Sequence, residues 1–405
     1  MRNLLLLLGC AAILGCNRPL EGPDAPWPLA PADGTGSHAS PLLVWTEPGG
    51  AETYQVQVAL GASFTETVLD TTVADTSVQT ALSADGSYYW RVRAVGADAV
   101  WGAWSAVWRF SRERFRVAGY AALTGYAQDI AVQGDVVFVA EGQAGLSAYS
   151  LASPAEPVML GRITDSQNEA YGVCPADTLV HVAYGYKELA TYNAARPESL
   201  VVLGELEYPQ PGYGYDVAVA DSFVYIAADA QFIVVKVARP QYPELVFQYR
   251  YPRGCRGVAV SQGICYLALE QMGIELWDVR TLPPTRLGWL DTPSNARGID
   301  VRGTTAFVAD GRDGLLVVDA ADPAQPRTIA ALDLPGYAAR VTIADTLALV
   351  ACGDAGVCVV NVALPQMPVL AARIPGGNTR GVAASGRYIY GADRDLGIIV
   401  IERED

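Results

Sequence analysis

Cys255-Arg256-Gly257-Val258-Ala259-Val260 and Ala296-Arg297-Gly298-Ile299-Asp300-Val301 are one unit written twice, 41 residues apart. Each copy leads into an apolar run and then into a Gly-apolar-x-apolar stretch, at 273–276 in the first and 314–317 in the second. A motif that returns at this interval marks a repeat protein, in which neighbouring units bury each other's apolar faces. Within one copy the apolar runs are short: GlyValAlaVal (257–260), IleCysTyrLeuAla (264–268), GlyIleGluLeuTrpAsp (273–278) and ThrArgLeuGlyTrpLeu (285–290). Turn residues separate them, so each copy reads as four strands and not as helices with a 3.6-residue period.

Taking the apolar residue after each Arg-Gly as an anchor and walking outward gives Ile130, Val173, Val217, Val258, Ile299, Val341 and Val382. Seven copies therefore fit residues 113–405, and four strands per unit of about 40 residues is the signature of a β-propeller blade. The fold class predicted is all-β, a seven-bladed propeller. The seventh copy stops after its third strand, GlyIleIleValIle (397–401). ArgValAlaGlyTyrAlaAlaLeuThrGlyTyr (116–126) reads like the fourth strand of copy five, ArgThrIleAlaAlaLeuAspLeuProGlyTyr (327–337). Pairing of residues 115–123 with 397–402 is thus predicted to close the ring and remove an open edge.

The chain has 405 residues, 51% apolar and 18% charged, with a net charge of −15 from 28 basic and 43 acidic residues. Global disorder is excluded by this composition, and the acidic surplus argues against nucleic acid as a partner. At the start, MetArgAsn and a short apolar run, residues 1–15, read as a secretion signal too short to span a membrane. IleLeuGlyCys (13–16) resembles the bacterial lipobox, which makes Cys16 the lipid-attachment residue; LeuLeuGlyCys (7–10) is a rival with a shorter apolar run. The same resemblance, with Asn17 after the cysteine, implies the outer membrane of a Gram-negative-type cell envelope, with membrane contact through the N-terminal lipid only.

Residues 16–27 are proline-rich and read as a tether. From 28 to 112 short alternating strands follow, among them TyrGlnValGlnValAla (54–59) and TyrTyrTrpArgValArgAla (88–94). With Trp45, Tyr54 and the closing GlyAlaTrpSer (102–105), this stretch resembles a fibronectin type III domain, which implies a β-sandwich spacer. The repeats resemble the LVIVD family of surface propellers, most closely at GlyLeuLeuValValAspAlaAlaAspProAlaGlnPro (314–326) and more loosely at 145–157. Copies two and three depart from its Gly-apolar pair. That resemblance implies fold and surface location and brings no shared catalytic motif.

Chemistry-bearing patterns are scarce. The two histidines, His38 and His181, lie in different domains, and no zinc-hydrolase, serine-hydrolase or nucleotide-binding motif occurs. AspGlyArgAspGly (310–314) is short of a calcium loop and reads as a polar turn. No cofactor or metal is expected. Cys352 and Cys358 flank a hairpin that can bring them opposite each other, a candidate disulfide in a secreted chain. Two residues before the anchors stand Gln128, Tyr171, Tyr215, Arg256, Arg297, Ala339 and Arg380. Ring closure gathers these positions at one mouth, where Tyr171, Tyr215, Arg256, Arg297 and Arg380 are candidate contacts for an anionic or sugar-like ligand. A structural account competes: acids at matching spacing pair Arg256 with Glu270, Arg297 with Asp310 and Arg380 with Asp393.

The function expected is that of a lipid-anchored, non-catalytic, monomeric surface protein that displays its propeller to an envelope or extracellular protein or glycan. The alternative is a glycan or peptide lyase or hydrolase using Asp129, Asp216, Asp310 or Asp393 near the mouth as acid and base.

Overall fold

A computed structural model describes residues 22–31, 35–37, 41–82, 86–96, 99–112, 114–165, 167–185, 188–206 and 212–404. Cys16, on which the expected lipid anchor rests, and His38 lie outside the described residues. Among the described residues no helix is long and apolar enough to cross a membrane.

Among the described residues the N-terminal part consists of two sheets. One pairs Pro28–Ala30, Leu42–Trp45 and Ser77–Gln79; the other runs Thr35–Ser37, Trp108–Arg112, Gly86–Val95, Thr53–Ala59, Thr67–Val73 in order. Along Thr53–Ala59 every second residue is buried, as a strand with one face on a core requires. Trp45 of the first sheet and Tyr54 of the second meet edge to face at 5.5 Å, both buried. On the opposite face Trp104 stacks on Arg91 and Arg93, at 4.2 and 4.5 Å, so long cationic side chains cover the apolar rings.

Among the described residues the C-terminal part holds seven four-stranded antiparallel sheets, each built from consecutive strands apart from the last. Their first strands are Asp129–Gln133, Ala170–Ala176, Gly214–Ala220, Gly257–Ser261, Gly298–Arg302, Arg340–Ala344 and Thr379–Ser385, numbered here as sheets 1 to 7. Every anchor lies on one of them and is buried. Burial across a sheet explains the sequence pattern. Second and third strands, such as Leu315–Asp319, are buried on both faces and read as continuous apolar runs; fourth strands, such as Thr285–Leu290, are half exposed. Leu315 and Val317 pack toward Val350 and Val360 of sheet 6, whereas Leu316 and Val318 pack toward Tyr266 and Leu276 of sheet 4. The two-residue period of a strand thus gives each sheet two adhesive faces.

The third strand begins after a glycine in left-handed conformation, with φ of 71° at Gly273 and 75° at Gly314. A Cβ there would stand 2.1 Å from the Leu290 carbonyl oxygen and 2.4 Å from that of Leu332. Sheet 3 lacks this glycine because its hairpin is tighter: Ala228 pairs directly with Gln231.

The seventh sheet contains Thr379–Ser385, Tyr388–Asp393 and Gly397–Glu404, and its fourth strand is Arg114–Ala121 from before the first repeat. Partners run from Ile398 with Ala121 to Glu404 with Arg114, so the predicted pairing extends further toward the chain end and stops at Ala121. Ile399 and Ile401 pack on Leu349, Val357 and Val359 of sheet 6. Ile398 and Val400 pack on Val137, Val139 and Tyr149 of sheet 1.

Gly119 of the borrowed strand lies against sheet 1, where an added Cβ would stand 2.3 Å from the Ala155 carbonyl oxygen. Gly119→Ala is therefore expected to cost about 1–3 kcal/mol through overpacking, read as a lower urea midpoint at unchanged slope. An unaltered midpoint would show that this seam is loose.

Candidate functional site

The residue immediately before each anchor is Asp129, Gly172, Asp216, Gly257, Gly298, Arg340 or Gly381. Glycine recurs here for a steric reason. A Cβ on Gly172 would be 2.9 Å from the Asp216 Cα, one on Gly298 2.7 Å from the Arg340 Cα, and one on Gly381 2.9 Å from the Asp129 Cα. First strands approach so closely that a side chain is admitted only where the next sheet offers glycine, and Asp129, Asp216 and Arg340 are each followed by one.

These three side chains meet. Arg340 Nε lies 3.2 Å from Asp129 Oδ1, and its Nη1 lies 2.5 Å from Asp216 Oδ1. Arg340 Nη2 also donates to the Tyr215 carbonyl at 3.3 Å. Asp129 Oδ2 accepts from the Val173 amide at 3.0 Å, and Asp216 Oδ2 from the Val258 amide at 2.9 Å, so each acid ties its own sheet to the next. Asp300 repeats the device from sheet 5 to sheet 6 through the Ile343 amide at 2.7 Å. Burial raises the Asp129 carboxyl to about 6; Arg340 and the amides oppose that shift, and Asp216 adds to it. Burial alone would lower Arg340, but Asp129 and Asp216 raise it above its ordinary range.

Arg340 lines two cavities. The larger, about 370 Å³, is lined by anchors of the first strands together with Asp129, Asp216, Asp300 and Cys174. Burial pushes the Cys174 thiol up to about 12, which leaves it a poor nucleophile. The smaller, about 80 Å³, is a cup whose rim is the predicted set: all seven residues standing two before the anchors line it, and Arg340 is the eighth. Sequence reasoning missed Arg340. Its signal was the break in the Arg-Gly motif at Ala339-Arg340, which moves the cation one place inward.

Within the cup, Arg256 lies 3.8 Å over the Tyr215 ring and pairs through Nε with Glu270 Oε1 at 2.6 Å. Tyr171 and Tyr215 meet edge to face at 5.4 Å, and the Tyr171 hydroxyl donates to Glu169. Arg297 does not pair with Asp310: its Nη1 lies 3.2 Å from Glu270 Oε1. Asp310 instead accepts from Thr292 Oγ1 at 2.9 Å and the Ser294 amide at 3.0 Å. Arg380 does not pair with Asp393, which accepts from the Gly377 and Asn378 amides at 2.9 Å and from Thr379 Oγ1 at 2.8 Å. One residue of offset explains the difference. Asp310 and Asp393 stand eleven places after their anchors and Glu270 twelve, a place where the backbone is left-handed, with φ of 51° at Glu270 and 60° at Gly311. The former pair holds the loop entering its own sheet; Glu270 faces the cup.

The expected disulfide is absent. Cys352 and Cys358 are both buried free thiols. Cys358 is paired with Val350, so Cys352 sits diagonally from it, two places further along. Their thiols share a hydrogen bond, which raises Cys352 and lowers Cys358. His181 is buried on its strand with Nδ1 3.0 Å from Thr191 Oγ1, and burial lowers it to about 4, as for a packed strand residue. Among the described residues no group of three or more His, Cys, Asp or Glu is placed to hold a metal.

Four segments, residues 124–165, 211–250, 293–332 and 376–402, match the LVIVD repeat. No curated protein matches the chain. Solved structures similar to it are β-propellers in architecture. The WD40 β-propeller domain of Doa1 aligns with a TM-score of 0.59 at 12% identity over 72% of this chain and 98% of that one. A chain of a mitotic checkpoint complex aligns with a TM-score of 0.58 at 12% identity over 72% and 91%. The computationally designed Ika8 protein aligns with a TM-score of 0.54 at 9% identity over 79% and 94%. At these identities the likeness is one of fold alone.

A carboxyl raised from 3.8 to about 6 binds a proton in the folded chain where the unfolded chain does not. The cost of keeping Asp129 charged is present above the folded value and gone below the unfolded one. Relative to Asp129→Asn, the wild type should therefore gain stability as pH falls from 6 toward 4, by up to about 1.4 kcal/mol per pH unit. Urea titrations of both proteins across that range read the difference, and parallel pH profiles would remove Asp129 from this role.

Proposed function

We propose that this chain is a lipid-anchored cell-surface protein that displays a seven-bladed β-propeller for binding a protein or glycan, without catalysis. Cys16 carries the lipid, residues 16–27 form the tether, and the fibronectin type III-like part, 28–112, is a spacer that sets the reach of the propeller. Rigid strand ends at one mouth supply the contacts, as suits a repeat scaffold. Placement is at the envelope of a Gram-negative-type bacterium, on its outer membrane, and the unit is a monomer.

The observation that carries this reading is the convergence of residues from all seven sheets, including Tyr171, Tyr215, Arg256, Arg297 and Arg380, on one cup. Convergent guanidinium groups and aromatic rings are recognition groups, because they offer several donors and stacking faces in fixed positions. The LVIVD repeats and the propeller-like neighbours support a binding or scaffold role. The hydrolase or lyase reading has one observation in its favour, the raised Asp129 carboxyl. Against it, Asp129 and Asp216 are held by Arg340 and by strand amides, and Asp310 and Asp393 by entry loops, which leaves none of the four poised as a free acid or base.

Two experiments test the proposal. Expressed from the full gene, the wild-type chain should incorporate labelled palmitate and sediment with membranes, whereas Cys16→Ala should do neither; a wild-type chain that takes up no label has no such anchor. In the second, the immobilised full chain is exposed to envelope extract and to a glycan array. A partner retained by wild type should be lost from Tyr171→Ala and Arg297→Ala variants whose melting temperatures are near wild type. Equal retention by both variants would move the binding face away from the mouth.

A further inference from the structure

The cup is divided into a saturated half and an unsatisfied half. On one side Tyr171, Tyr215, Arg256 and Glu270 partner one another, with Glu169 accepting from Tyr171. On the other side stand Arg297, Ala339, Arg380 and Gln128, contributed by sheets 5, 6, 7 and 1. Ala339 offers only a methyl group, which leaves a gap in the row of long side chains between Arg297 and Arg380 in repeat order. Arg297 lies 5.7 Å from the centre of the Tyr337 ring, and its only acid among the described residues is the share of Glu270 that Arg256 leaves, at 3.2 Å. The Arg380 Nε is buried without a hydrogen-bond partner. No ion pair is made by Arg380 and no side-chain hydrogen bond by Gln128 within the described residues.

Comparison of repeats shows that charge compensation is reversed at this place. Arg256 is followed fourteen residues later by Glu270, the acid that neutralises it. Arg297 is followed at the same spacing by Gly311, and Arg380 by Arg394, a second cation. Burial, with Arg394 and then Arg297, lowers Arg380 below its ordinary range, as expected of a cation without a counter-charge. Arg394 itself lies 5.2 Å from the centre of the Tyr126 ring and has no acid of its own among the described residues. The remaining cation, Arg340 at the floor, is already neutralised by Asp129 and Asp216. A half-buried guanidinium whose buried Nε has an unmade bond, a second cation at its side and a free amide in the same cup lack one negative partner.

We propose that the sector formed by Arg297, Ala339, Arg380 and Gln128 binds a single oxyanion group, a carboxylate or a sulfate, presented by the ligand of the cup. Arg380 is its principal donor, Arg297 the second, and the Gln128 amide supplies a neutral hydrogen bond. The gap above Ala339 is the entrance, and about 80 Å³ admits one such group and no large one. This assignment rests on the mouth being the binding face, but it is tested without any macromolecular partner.

Sodium acetate and sodium sulfate are titrated into the full chain, each against sodium chloride at matched ionic strength, and binding is followed by calorimetry and by the shift in melting temperature. Wild type should bind at least one of the two saturably, and the preferred arm tells whether a carboxylate or a sulfate is recognised. Arg380→Gln should weaken that binding by about ten-fold or more, the loss expected for one charge-assisted bond. Ala339→Leu, which keeps every charge and fills the gap, should weaken it comparably. Arg280→Gln, at an exposed arginine paired with Asp278, should leave it unchanged. If neither anion binds saturably, or if Arg380→Gln and Ala339→Leu bind as wild type does, the oxyanion site is overturned. Anion binding at Arg380 together with a failed partner search would sink the display reading alone, and a retained partner indifferent to Arg380 would sink only the anion site.

Discussion

Close approach of neighbouring first strands is the constraint on which the rest of the C-terminal structure depends. Gly172, Gly298 and Gly381 each face the backbone or side chain of the following sheet at distances that leave no room for a Cβ. In the remaining space one cation, Arg340, is shared by two acids, Asp129 and Asp216. A buried ion group of this kind is not in itself a large source of stability, since desolvation of three charges offsets much of their attraction. Its effect is geometric: the acids also hold amides of the next strands, so removing one partner would leave the other charges buried and uncompensated.

The same constraint explains how a chemically varied cup arises from a repeat. Because the row before the anchors is filled by glycine or by the neutralised triad, the row before that is the first in which side chains vary freely. Glutamine, tyrosine, arginine and alanine all occur there, and all line one small cup. The repeat thus supplies identical backbone positions and leaves chemistry to single substitutions. Glu270 where another copy has Gly311 or Arg394 decides which half of the cup is internally paired. Function, on this view, lives in differences among copies that the fold treats as equivalent.

Backbone conformation and register account for the places where linear reasoning about pairs failed. Asp310 and Asp393 were expected beside Arg297 and Arg380, yet each holds the loop that enters its own sheet. Counting residues from the anchors separates them from Glu270 by a single step, and that step enters the left-handed turn position that Gly311 fills in sheet 5. Cys352 and Cys358 fail as a disulfide for a related reason. The hairpin register places Val350 opposite Cys358, so the two thiols meet diagonally and share a hydrogen bond without forming a disulfide.

The sequence by itself pointed to a repeated four-stranded unit and to a strand from before the first repeat, expected at 115–123 and found at Arg114–Ala121, beside the last strand, because both follow from an apolar pattern that recurs along the chain. It also marked the aromatic core of the N-terminal part through Trp45 and Tyr54. Only the tertiary structure decided which charges meet. Arg340 reaches Asp216 across 124 residues and Asp129 across a still longer separation, and no local spacing encodes a contact made through the centre of an array. The isolation of Arg380 is equally a tertiary fact: its neighbours in the chain are ordinary, and what it lacks is visible only where several sheets converge.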